Sequence, residues 1–93
     1  MSEIKTTLAF ASVAEDFSGI NLRLVTEKNE LFVAFLKVNE QMGDINLVLR
    51  RDMDAKTELQ KVCNILNGFT ENEDGSLSPI NNFQQKVITL VCD

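Results

Sequence analysis

The chain has 93 residues, with 9 Lys plus Arg against 14 Asp plus Glu and a formal charge of −5 at pH 7. Its 44% hydrophobic content is an ordinary supply of core for one small domain, 1–93. It contains no His, Trp or Tyr, which removes the usual neutral-pH proton shuttle and the amphipathic contact anchors, and its acidic balance argues against direct binding of nucleic acid, which depends on Lys and Arg at phosphates.

Residues 4–13 read as a strand, with Ile4, Leu8 and Phe10 on one face and Thr6-Thr7 favouring β structure. The competing reading is a helix capped by Ser2, with Ile4, Leu8 and Ala11 in register. Ile20 to Thr26 alternates Ile20, Leu22 and Leu24 against Asn21 and Arg23, the period of a half-buried strand. Glu27 to Glu30 forms a hairpin loop, and Leu31 to Val38 is apolar on both faces, as an interior strand covered on two sides would be. A turn is expected in 39–44, where Gly43 tolerates positive φ. Ile45, Leu47 and Leu49 then alternate as a third strand of the meander.

The period changes from 2 to 3.6 at Ala55, Leu59, Val62, Cys63 and Leu66, predicting a helix from Asp54 to Asn67. Asp52 or Asp54 caps its start and Asn67-Gly68 stops it. Residues 71–78 carry Asp74-Gly75, a surface turn. The tail reads as a helix from Ser78-Pro79, with Ile80, Phe83, Val87, Leu90 and Val91 on one arc; its β-branched run 87–91 supports a strand instead. The fold class expected is α+β, an antiparallel β-meander of three to four strands packed against one or two α-helices.

Few residue patterns point to chemistry. Nucleophilic catalysis lacks a His base. Cys63 and Cys92 both sit in apolar stretches, where a thiol is protonated and inert, and both are expected to be free. Asn72, Asp74 and Ser76 have the spacing with which calcium loops begin, but Leu77 and Phe83 stand where glycine and the bidentate Glu belong. No P-loop or dinucleotide-binding turn is present, and no cofactor is expected. The carboxylate groups Glu15-Asp16, Asp52 with Asp54, and Glu71 with Glu73 and Asp74 lie in polar loops or a helix start, without a local apolar wall to raise a pKa.

The expectation is therefore a non-enzymatic protein-binding module, a small acidic inhibitor, adaptor or regulatory subunit that occupies a partner's surface. Its candidate contact residues are Glu15, Asp16 and Phe17 in one loop and Glu71, Glu73 and Asp74 in another, facing a basic partner such as a nucleic-acid-handling protein. The alternative is a homo-oligomeric structural or scaffold domain that buries 31–38 and 87–92 across a two-fold axis. A small enzyme or ligand binder using loop carboxylates ranks third. No apolar run approaches the length of a bilayer crossing and no secretory signal opens the chain, so a cytoplasmic, reducing compartment is expected, with no membrane contact.

Overall fold

A computed structural model describes residues 2–50, 52 and 54–92 of the chain. Nine elements follow in order: β1 (Ser2–Val13), β2 (Gly19–Val25), β3 (Leu31–Lys37), β4 (Gln41–Met42), β5 (Ile45–Asn46), α1 (Ala55–Leu66), β6 (Phe69–Glu71), β7 (Leu77–Pro79) and β8 (Val87–Cys92). The principal sheet has the order β3-β2-β1-β8, antiparallel throughout, and α1 packs on one of its faces. The protein is α+β, as the alternation and helical periodicity predict. Among the described residues the principal sheet has four strands and one helix packs against it.

The buried face is built from alternate residues. Ile20, Leu22 and Leu24 of β2 are all inaccessible, and they meet Leu8, Leu36 and Ile88 from the other strands and Leu59, Cys63 and Leu66 from α1. At roughly 1.5–3 kcal/mol for each large apolar side chain, this layer supplies the main favourable term of folding. Thr6 is the buried polar exception; its hydroxyl donates to the Ile88 carbonyl at 2.7 Å, so no polar group is orphaned there.

β1 is a strand along its whole length, but its inward face changes phase. The register with β2 runs Leu8↔Leu24 and then Phe10↔Arg23, leaving Ala9 as a bulged residue. Thr6 and Leu8 point inward before the bulge and Ala11 after it. Phe10, expected beside Ile4 and Leu8, is consequently 48% exposed on the outer face.

The tail is β8, not a helix. Ile88 is buried and Leu90 packs against the core, while Val87 and Val91 are exposed, a period of 2 that only a strand produces. β8 pairs with the first half of β1, from Ser2↔Cys92 to Thr7↔Val87. Ser78-Pro79, a good helix start in isolation, closes the β6–β7 hairpin instead, with Pro79 opposite Phe69.

Two further expectations change. β3 is an edge strand, not an interior one: Phe32, Ala34 and Leu36 face the core, and Leu31, Val33 and Phe35 are exposed, with none of the described residues covering them. The anticipated third meander strand shrinks to Ile45–Asn46, paired with Gln41–Met42 around Gly43 at φ 57°. Ile45 and Leu47 still enter the core, but they do so from a short hairpin and an irregular segment.

The helix lies where its periodicity puts it. Asp54 is its N-cap residue, although its carboxylate accepts the Thr57 hydroxyl at 3.2 Å rather than a backbone amide. At the other end Gly68, at φ 99°, donates its N–H to the Ile65 carbonyl in a left-handed cap. A Cβ on Gly68 would lie 2.9 Å from the Phe83 ring, so this glycine serves both the turn and the close packing.

Candidate functional site

The two acidic loops share one local device. In the β1–β2 loop Asp16 Oδ1 accepts the Ser18 N–H at 3.1 Å and the Ser18 hydroxyl at 2.6 Å. In the β6–β7 hairpin Asp74 Oδ1 accepts the Ser76 N–H at 2.9 Å and the Ser76 hydroxyl at 2.6 Å. The residue between each Asp and Ser is left-handed: Phe17 at φ 58° and Gly75 at φ 89°. The Ser18 and Ser76 hydroxyls and amides hold the two carboxyl groups below the usual carboxylate range by favouring their charged form. These carboxylates therefore shape their own turns, the ordinary work of Asp in loops.

Glu15 and Glu73 are exposed. Glu71 lines a groove of about 670 Å³ between α1 and the β6–β7 hairpin, where Lys56 and Lys61 also lie, so the groove is not uniformly acidic. Among the described residues, no hydrogen bond or ion pair joins the loop of Glu15, Asp16 and Phe17 to that of Glu71, Glu73 and Asp74. Phe17 is 43% exposed and held in a conformation that L side chains rarely adopt.

Cys63 is buried in the core and is a free thiol, with its pKa pushed up to about 11 by desolvation. The Cys92 side chain lies outside the described residues. Among the described residues no three His, Cys, Asp or Glu side chains converge as metal ligands do, and no helix is long and apolar enough to cross a membrane.

The outer face of the sheet exposes apolar residues of 31–38 and 87–92, the stretches whose burial across a two-fold axis was the alternative expectation, and adds Phe10 and Arg23 to them. Thr7, Val25 and Leu31 lie in one cross-strand row, with Val87 at the β8 end; Phe10, Arg23 and Val33 form the next, and Asn21 and Phe35 follow. Phe10, Leu31, Val33, Phe35 and Val87 are each close to half exposed or more. An apolar tract of this kind is unusual on a small soluble domain. Its charged residues are Lys5, Arg23 and Lys37 against Glu3, opposite in sign to the chain as a whole.

The tract ends at an open backbone edge. The bonds from Thr26 N–H to the Glu30 carbonyl and from Val38 N–H to the Ser18 carbonyl, both 3.0 Å, bracket the β2–β3 ladder. Even-numbered residues of β3 therefore bond to β2, and the N–H and C=O groups of Leu31, Val33, Phe35 and Lys37 point away from it. Among the described residues these outward groups have no hydrogen-bond partner, except the Lys37 carbonyl, which accepts the Glu40 N–H at 3.0 Å. The signal in the sequence was the double-faced apolarity of 31–38, which reads the same whether the second face is covered by the protein itself or left for another chain.

No protein-family model matches the chain, and comparison with curated proteins and with solved structures finds none similar to it.

Proposed function

We propose that the protein is a non-enzymatic protein-binding module that engages its partner through the open edge of β3 and the apolar outer face beside it. The observation that carries this reading is the row of unpaired backbone groups at Leu31, Val33 and Phe35, continued by the Lys37 N–H and flanked by exposed side chains of the same residues. An extended segment adding to such an edge gains main-chain hydrogen bonds, while alternate side chains supply selectivity. The occupation of Asp16 and Asp74 in their own turns supports moving the binding surface from the acidic loops to the sheet. The cations around the tract favour a neutral or acidic apolar segment over a basic surface.

Affinity capture from the source cells with wild type and Val33→Pro tests this. The Val33 N–H is not used by β2, so proline there leaves the ladder intact while removing a donor from the open edge. A partner retained by wild type in 0.5 M salt and lost with Val33→Pro is expected. A partner that binds both equally, or that is released by salt and by Glu71→Gln with Glu73→Gln, returns the binding surface to the acidic loops.

A further inference from the structure

We infer that the occupant of the β3 edge is a second copy of the same chain, paired antiparallel across a two-fold axis at Ala34; this rests on the reading of β3 as a binding edge. The strand runs from Leu31 to Lys37, so an axis at its central residue superposes the whole strand on its own reverse. The outward-pointing residues then meet one another, Leu31 with Lys37 and Val33 with Phe35 of the other copy, each as a pair able to exchange two hydrogen bonds. Of the eight bonds, six use groups that are free in the single chain; the two to the Lys37 carbonyls share that acceptor with the Glu40 N–H, and the β2 ladder is unchanged.

The side chains agree with that register. On the outer face Val33 packs against Phe35 of the other copy twice, an aromatic and β-branched combination favoured across strands. On the inner face Phe32 stands opposite the already buried Leu36 of the other copy, and the small Ala34 stands opposite itself at the axis. Shifting by two residues, to an axis at Val33, would set the Glu30 carboxylate against Leu36 and leave Lys37 beyond the pairing. The Ala34 register brings no like charges opposite each other within the strand, and it sets Lys28 of one copy at the end where Glu40 of the other lies.

β3 also lacks the devices by which edge strands repel copies of themselves. It contains no proline and no bulge, and its sole charged residue, Lys37, is terminal. Seven paired residues are about a third of the roughly 20–30 residues that each side of a standard interface contributes. The dimer is therefore weak and reversible, and the two subunits share one continuous eight-stranded sheet.

Sedimentation velocity of the full chain from about 5 µM to 1 mM, a range that spans weak and reversible association, tests the inference. The expected result is a shift from single to double mass for wild type, with Val33→Pro and Val33→Lys remaining at single mass while keeping the wild-type circular dichroism spectrum. Val33→Lys keeps the backbone donor and places cations on both sides of the axis, so the test survives if the proline variant fails to fold. In a Cys63→Ala, Cys92→Ser background, Ala34→Cys should oxidise to a covalent dimer and Leu31→Cys should not. A wild type of single mass at 1 mM, or a dimer that both Val33 variants retain, overturns self-pairing. A strictly monomeric wild type that still captures a partner in a Val33-dependent way overturns the second copy alone and leaves the binding edge standing.

Discussion

Asn67, the residue that ends the helix, completes the hydrogen bonding of Ala11 in β1 by presenting its side-chain amide as one residue of a missing strand. Its Oδ1 accepts the Ala11 N–H at 2.7 Å and its Nδ2 donates to the Ala11 carbonyl at 2.9 Å. The need arises because β8 pairs only with 2–7 and the bulge at Ala9 turns the Ala11 backbone groups away from β2. The same residue thus stops α1 and fixes it to the sheet.

Removing this tie should be costly. Asn67→Ala leaves a part-buried donor and acceptor unpaired, and a loss of about 2–3 kcal/mol is expected in urea denaturation. Asn67→Asp keeps the acceptor but sets a carboxylate against the Ala11 carbonyl, so the folded state favours its protonated form. Its deficit relative to wild type should be largest at pH 7 and shrink as pH falls through the raised folded-state pKa. An Asp variant whose deficit is independent of pH would show that the amide donor does not matter.

Legibility in the sequence divided along the range of the interactions. The β2–β3 hairpin and α1 were readable because their alternation, their loop at 27–30 and their Asn67-Gly68 stop are local signals. The bulge at Ala9 was not, since it depends on where β2 and Asn67 sit relative to β1. In the tail, Ile80, Phe83, Val87, Leu90 and Val91 satisfy a helical wheel; pairing with β1, 80 to 90 positions earlier in sequence, decides for a strand. The turns of Asp16 and Asp74 were visible as turns. That each carboxylate bonds the serine two residues on, which removes it from the list of free contact groups, becomes apparent only from the geometry.

Phe17 carries strain that its counterpart Gly75 does not. The left-handed region costs an L residue roughly 1–2 kcal/mol, and Phe17 sits there at φ 58°. Phe17→Gly and Phe17→Ala lose the same ring contacts, but only glycine relieves the backbone. The glycine variant is expected to be the more stable of the two by about 1 kcal/mol in parallel thermal melts. Equal stability would mean that the loop relaxes around alanine.

The acid branch of stability should report both turns. Because Ser18 and Ser76 lower the folded-state pKa of Asp16 and Asp74 from 3.8, the stability they confer is present above that value and is lost as pH falls through their lower folded values. Asp16→Asn with Asp74→Asn retains the acceptor oxygens without the charge. Wild type should exceed this variant in urea midpoint at pH 6, and the two should converge below pH 3. A constant offset from pH 6 to pH 3 would place the difference in loop geometry rather than in charge.

Cys63 should behave as core and not as a reagent. With the folded thiol held up to about 11 by burial against an ordinary 9.0, the unfolded chain alone gains from ionisation between those values, so stability falls as pH rises above 9. A Cys63→Ala chain should lack that slope. In a Cys92→Ser background, alkylation at pH 8 should proceed only through unfolding, accelerating with urea in step with the unfolded population. Cys63→Ser places a polar hydroxyl among Leu59, Leu66 and their apolar neighbours, at an expected cost of about 1–3 kcal/mol. Rapid alkylation of the native protein would instead mean that the core opens locally at α1, and it would make this thiol accessible on the folded molecule.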